Sequence, residues 1–348
     1  MGNNSNNQGR AYEYAWIKSL SNRIESLQSV IVAENSSLAA NKRAWNEISK
    51  ELREALLISA DAAVKTIIEL EPQMVDKANG PIVLEFQKDS AGKLGDVRDI
   101  IVKKNGIEWE IGLSIKHNHE AVKHSRLSGS IDFGKEWFDS ACSKKYWNSV
   151  IPIFESLLEK KSKKVKWSDL KNKEKDVYVP LLKAFVREIK EKNKDVKDLP
   201  QKMVEYLIGT KDFYKIISKD TRRLTIIRAF NMHGTLNHPT KRKVSAITVP
   251  VVQMPTELIE VKFKSNSLNT VEMYLNNGWQ LSFRIHNAST IVEPSLKFDV
   301  QFVGMPLSVL SIECKWSARR EGNYIIQRSE KLRKVAEPKV SYEDDNDN

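Results

Sequence analysis

The chain is poor in cysteine. Cys142 and Cys314 are the two among 348 residues, with no CxxC and no Cys/His cluster at ligand spacing. A disulfide framework and a structural zinc site are therefore excluded, and a reducing, cytoplasmic compartment is expected. No apolar run approaches the length of a membrane span. The N-terminus, MGNNSNNQGR, has no apolar h-region, so no secretory leader is expected. Gly2 with Ser5 superficially suits a lipid-acceptor pattern, but no basic cluster or second lipid signal accompanies it. There is also no aromatic RNP-like run, which argues against an RNA-binding module.

What is present is positive charge. The chain carries +11 at 41% hydrophobic and 29% charged residues, the profile of a soluble globular protein with a polyanionic partner. The last eight residues hold four acids, so the remainder is more basic still. Nucleic acid is the expected partner, bound with salt-sensitive affinity.

One stretch organises the rest. Gly95–Lys103 and Ile107–His117 are rich in β-branched residues and flank Asn105-Gly106, a strong hairpin signal. A two-residue turn pairs Lys104 with Ile107 and sets Asp99 opposite Gly112. Side-chain alternation then puts Asp99, Glu110, Ser114 and Lys116 on one face, around the gap at Gly112. A three-residue loop would reverse that choice. A carboxylate on one strand and a lysine on the next is what a metal-dependent phosphodiesterase needs. The acid holds Mg²⁺ through hard oxygen ligands, and the lysine orients or activates water. Restriction-type nucleases write this as Asp, then Asp/Glu-x-Lys. Here Ser114-Ile115-Lys116 stands in the second place, so a carboxylate is missing. The expected metal set is Asp99, Glu110 and Ile115, with Asp99, Glu110 and Lys116 catalytic. Glu85, Glu69 and Glu71 are alternative second acids. A solvated hairpin has the same spacing.

Along the chain, Ala11 to about Leu38 and Asn41–Leu70 read as helices after an Asn-rich, unstructured start, and Pro72 closes the second. Ile82–Lys88 reads as a strand. His117-Asn118-His119 spells HNH, but true HNH nucleases spread those residues over a ββα unit. His119, Lys123, His124 and Arg126 read instead as a basic edge that clamps phosphates. Residues 136–218 read as a helical insert with aromatic anchors and a lysine run, Lys160 to Lys166. From about Thr221 short strands dominate: 224–230, 244–249, 258–263, 270–275, 279–286, 296–303 and 309–315. In the strand Gly278–Asn287, Gln280, Ser282, Arg284 and His286 alternate with apolar residues, giving one polar face. Gln280, Arg284 and His286 are candidate DNA contacts. A rival site exists: Asp299 with Glu313-Cys314-Lys315 fits the literal Asp…Glu-x-Lys pattern, and a hairpin would join them.

The blocks GDVRDIIV, WEIGLSIKHNHEAVKHSRLS, DFGKEWF and NGWQLSFRIHNAS…EPSLKFDVQFVG resemble type II restriction endonucleases of the HaeIII type, from about residue 80 to 310. That resemblance implies an α/β, restriction-endonuclease-like PD-(D/E)xK core with an antiparallel β-rich C-terminal half. It implies a Mg²⁺-dependent enzyme cutting double-stranded DNA at GGCC to blunt ends. Asp99 would be the metal aspartate and Lys116 the catalytic lysine, with Ser114 departing from the pattern. A cognate DNA methyltransferase is implied, and a palindromic target calls for a homodimer or a monomer acting twice. The expected organisation is a nuclease core at 10–135, an insert at 136–218, a DNA-recognition half at 219–320 and a tail at 321–348. The rival readings are a non-catalytic DNA-binding protein and a structure-specific DNA repair nuclease.

Overall fold

The computed structural model describes residues 2–88, 95–120 and 122–317; the expected tail at 321–348 lies outside them. Its helices are α1 Gly2–Glu25, α2 Ser36–Glu47, α3 Lys50–Leu70, α4 Phe133–Phe138, α5 Lys144–Ser162, α6 Val179–Asp195 and α7 Leu199–Ile208. Its strands are β1 Val30–Val32, β2 Ile82–Phe86, β3 Ile100–Lys104, β4 Trp109–His117, β5 Lys123–Ser128, β6 Phe213–Lys219, β7 Leu224–Phe230, β8 Leu258–Phe263, β9 Thr270–Leu275, β10 Gln280–His286, β11 Ser295–Gly304 and β12 Ser311–Lys315. The architecture is mixed α/β.

The N-terminal region departs from expectation in three places. The first expected helix, to about Leu38, ends at Glu25, and Val30–Val32 is strand β1, paired parallel with β2. The Asn-rich start belongs to helix α1. The second expected helix is two, because Ser49 accepts a hydrogen bond from Leu52 N and begins α3 afresh. The strand expected at 244–249 is irregular chain.

Two sheets carry the fold. The first runs β1-β2-β3-β4-β6-β7-β12, the second β5-β11-β10-β9-β8. β4 pairs parallel with β6, which returns only after the helices α4 to α7. Divisions at residues 135 and 218 therefore do not describe the sheets. β6 lies inside the expected insert yet is central to the first sheet, whereas β5 lies inside the expected core and pairs with β11. Parallel pairing needs a long crossover, and the helical segment supplies it.

Alternation on β3 and β4 decides what the first sheet buries. Ile100, Val102, Ile111, Leu113 and Ile115 lie in one core with Trp16, Leu20, Ile67 and other residues of α1 and α3. α1 is locked in register by a buried polar chain. Tyr12 Oη meets Ser59 Oγ at 2.7 Å, and Ser59 Oγ meets Thr225 Oγ1 at 2.9 Å. The second sheet presents Leu281, Phe283, Ile285, Phe298 and Val300 to α4–α7, where Trp137 and Phe185 stack among them. Its other face is polar.

The turn between β3 and β4 has four residues, not two. Lys104 pairs with Trp109, and Gly106 sits against Asn79, where a Cβ would come within 2.6 Å of the Asn79 carbonyl oxygen. The register moves by two, so the alternation is unchanged and the expected face is kept. The gap at Gly112, however, is filled. The Arg98 side chain lies across it, 1.9 Å from where a Cβ would stand. Arg98 is itself pinned by Asp96 and Glu110. Gly112→Ala is expected to destabilise the protein by about 1–3 kcal/mol, the cost of overpacking a filled site; a denaturant midpoint unchanged from wild type would contradict this placement.

Candidate active site

Asp99 sits just before β3, where the sheet ladder ends. Its N–H donates to Leu113 O at 2.8 Å, and its carbonyl accepts from Gln87 N at 2.9 Å. Its side chain turns to β4. Asp99 Oδ2 accepts from Ile115 N at 2.6 Å, from Lys116 Nζ at 3.0 Å and from Ser114 Oγ at 3.4 Å. The acid and the lysine expected from the sequence therefore meet. Burial, which alone would lower the Lys116 pKa, is outweighed by the Asp99 charge and hydrogen bond, so it lies above its ordinary value. The ammonium is firmly retained.

The second acid comes from an unexpected place. Glu13, on α1, is pushed up to about 8 by burial and next by the Asp99 charge, while Lys116 pulls the other way. Asn41 of α2, itself buried, donates to Glu13 Oε2 at 2.8 Å and fixes it. Two carboxyl groups and a lysine thus come within electrostatic reach of one another, from α1, the chain just before β3, and β4. In sequence, Glu13 is the sole acid of α1 before Glu25, set among Ala11, Tyr12, Ala15 and Trp16, all buried. That setting is the one signal that could have drawn attention to it.

The acids expected from the sequence are committed elsewhere. Glu110 shares the Asp99 face but lies four residues up the strand from Ser114, roughly 13 Å at the usual rise. Its Oε1 accepts from Arg98 Nη1 at 2.7 Å. Glu85 pairs with Lys103 at 2.7 Å, and Glu69 with Lys65. Glu71 is fully buried and accepts from Tyr214 Oη and Asn237 N; burial pushes it up to about 7. Ile115 is placed with its N–H on Asp99, and its carbonyl lies along the same strand edge.

The rival pattern does not assemble. Asp299 is on β11 of the second sheet, while Glu313 and Lys315 are on β12 of the first. The segment after Gly304 crosses between sheets instead of forming a hairpin. Glu313 pairs with Arg222 at 3.1 Å.

Around the acid–lysine pair the next strand adds positive charge. Lys215 is opposite Ser114 on β6, buried, and donates to Glu120 O at 2.9 Å. Burial first, then Lys116 and Arg228, pulls it down to about 7. The Glu120 carboxylate takes Lys219 at 2.5 Å. His117 Nε2 lies 2.9 Å from Asp220, so it braces the β4 end and is no part of an HNH unit.

The basic edge divides. His119 stays in the site, lowered by burial while the Asp299 carboxylate opposes that shift. Lys123 turns inward, donating to Tyr206 O at 3.0 Å and lying 3.5 Å from the Tyr206 ring centre. Burial pulls its pKa down to about 8. It is not a phosphate clamp. Arg126 is exposed and paired in register with Lys297; the His124 side chain lies outside the described residues. Arg126→Ala is expected to lower the slope of log affinity against log salt by about one, while Lys123→Ala leaves it unchanged. Equal slopes for the two variants would contradict this division.

Gln280, Ser282, Arg284 and His286 fall on the polar face of the second sheet, as their alternation predicts. Arg126, Lys297, Gln301 and Lys262 extend that face across β5, β11 and β8. It joins the acid–lysine pair through a short link: the chain leaves β4 at His117 and enters β5 by Lys123, with Val122 N bonded to Val300 O.

A carboxylate–lysine pair at a strand end, a second acid within its electrostatic reach and an adjoining polar sheet face that carries arginine and lysine define a class, the metal-assisted phosphodiesterases that act on nucleic acid. The comparisons narrow it. The family model described as HaeIII restriction endonuclease matches residues 9–306. A relative, the type II restriction enzyme HaeIII of Haemophilus aegyptius, is 49% identical over 317 residues, covering 91% of this chain and 99% of that one. This chain belongs to the HaeIII restriction endonuclease family. No solved structure matches it. Membership implies double-stranded DNA as substrate and a divalent metal as cofactor.

The residues fit such a metal. Among the described residues no group of three or more His, Cys, Asp or Glu side chains could hold one. A hard divalent cation that keeps several waters needs only one or two carboxylates, and Asp99 and Glu13 supply two. Burial beside the Asp99 charge makes a charged Glu13 costly, a cost that a bound cation would relieve.

Proposed function

We propose that this chain is a Mg²⁺-dependent type II restriction enzyme that cuts double-stranded DNA at GGCC to leave blunt ends, using a PD-(D/E)xK-type site. The observation that carries the chemistry is the Lys116–Asp99 contact at 3.0 Å with Glu13 beside it. The GGCC target and the blunt cut rest on the resemblance to the HaeIII family.

Asp99, Glu13 and the Ile115 carbonyl would hold the cation. When bound, it supplies a water of lowered pKa and neutralises charge on the phosphate. Asp99 is oriented for this by the Ile115 N–H and Ser114 Oγ, so its remaining lone pairs point away from the strand. Lys116 keeps its proton and donates a hydrogen bond to a phosphoryl oxygen as negative charge grows there. Asn41 keeps Glu13 aimed into the site. Lys215 and His119, both lowered by burial, would take up protons more readily as an anionic phosphate approaches. The polar sheet face then reads base edges through Arg284, Gln280 and His286, and Arg126 steadies the backbone.

Such an enzyme requires a cognate methyltransferase to protect host DNA, and a palindromic target favours two-fold engagement by a homodimer. Digestion of phage DNA with and without prior methylation of GGCC tests the reading. Blunt ends mapping to the middle of unmethylated GGCC are expected; cuts that follow DNA structure with no common sequence would contradict it.

A further inference from the structure

Arg284 does not stand alone on the recognition face. Its Nη2 donates to Asp299 Oδ2 at 3.0 Å across the β10–β11 ladder, where the two residues are direct register partners. The arginine is 55% exposed and the aspartate 8%. One edge of the guanidinium is therefore fixed at the sheet surface while its other donors face outward. Gln301 Nε2 donates to the same Oδ2 at 3.3 Å, steadying the carboxylate from the next row. The other oxygen, Asp299 Oδ1, is buried without a hydrogen-bond partner among the described residues. The Asp299 charge therefore depends on Arg284 for its pairing. Asp299 also lies within electrostatic reach of His119, three residues beyond Lys116.

We propose that Arg284 and Asp299 act as one guanine-reading unit, with Arg284 contacting the base and Asp299 as its positioning residue. The proposal rests on the nuclease reading above. An arginine reads guanine by presenting two parallel N–H donors to O6 and N7, and its discrimination depends on the fork being held in one orientation. Asp299 supplies that orientation before DNA arrives, so less side-chain entropy is lost on binding.

The test measures kcat/KM on three duplexes: one with the target site, one with a single G·C pair of the site changed, and one whose site guanines lack the N7 acceptor (7-deazaguanine). Wild type is expected to lose about 10-fold or more on each altered duplex, within the range of one bidentate contact. Arg284→Ala is expected to be indifferent to the 7-deaza change. Asp299→Asn keeps the shape but loses the charge, and its preference for the target over the altered duplexes is expected to fall about 10-fold. The double variant should show no further loss, because the pair acts as a unit. Circular dichroism establishes folding; if Asp299→Asn does not fold, the exposed Arg284→Ala variant still decides the base contact. An Arg284→Ala enzyme that remains sensitive to 7-deazaguanine, or a folded Asp299→Asn enzyme with wild-type preference, would overturn the proposal. A wild-type protein that cleaves none of the duplexes would overturn the nuclease reading and this proposal with it.

Discussion

Glu13→Gln is expected to slow DNA cleavage by roughly 10²–10³-fold, the range for removing one preorganised charge-stabilising group, and at the same time to make the metal-free protein more stable above neutral pH. The two effects have one origin. In the fold Glu13 takes up its proton at about 8, against 4.5 for an ordinary glutamate, because it is buried and feels the Asp99 charge. Between those values the folded state binds more protons than the unfolded one, so stability falls as pH rises from about 4.5 to about 8, and the full loss is present above 8. Glutamine carries no such charge and keeps the Asn41 contact available. Denaturant midpoints at pH 5 and pH 8.5, with EDTA present, read this directly. Wild type should lose stability between the two and Glu13→Gln should not. An equal pH dependence, or an active variant, would remove Glu13 from the site. A structural carboxyl would behave in the opposite way, costing stability when replaced.

Lys116→Ala is expected to lower kcat by roughly 10²–10⁴-fold, the span for a positioned acid–base group, with affinity for target DNA changed only a few-fold. Lys116 makes one contact that the chemistry needs, the 3.0 Å bond to Asp99, and its side chain is only 30% exposed. The loss should therefore fall on the chemical step and not on binding. Single-turnover rates at saturating protein separate the two. A variant that binds DNA more weakly but cleaves bound DNA at the wild-type rate would make Lys116 an ordinary phosphate contact.

These expectations also show how far the residues alone could lead. Asp99 and Lys116 were legible because alternation has period two, and a four-residue turn displaces the register by an even number. Glu110 followed from the same alternation but not from its neighbours: Arg98 fills the space over Gly112 and takes the Glu110 carboxylate for itself. Nothing local in the sequence indicates that an arginine two residues after Asp96 will fold across the next strand. Glu13 was hidden for a different reason. It lies 86 positions before Asp99, and its role depends on how α1 is seated by Tyr12, Ser59 and Thr225. The strands of the second sheet could be read one by one, since Gln280–His286 alternates cleanly. Their membership could not: β5 and β11 pair across more than 160 residues, and β6 joins β4 in parallel only after four helices. Lys123 shows the limit of reading charge as surface, because Tyr206 offers it both a carbonyl and a ring face.

The measurement that tests the central claim most directly compares Lys116→Ala with Lys315→Ala on unmethylated phage DNA, each with Mg²⁺ and with an EDTA control. Chemistry centred on Asp99 and Lys116 predicts discrete, EDTA-sensitive fragments from wild type and from Lys315→Ala, and none from Lys116→Ala. Fragments that persist in Lys116→Ala and vanish in Lys315→Ala would contradict the account.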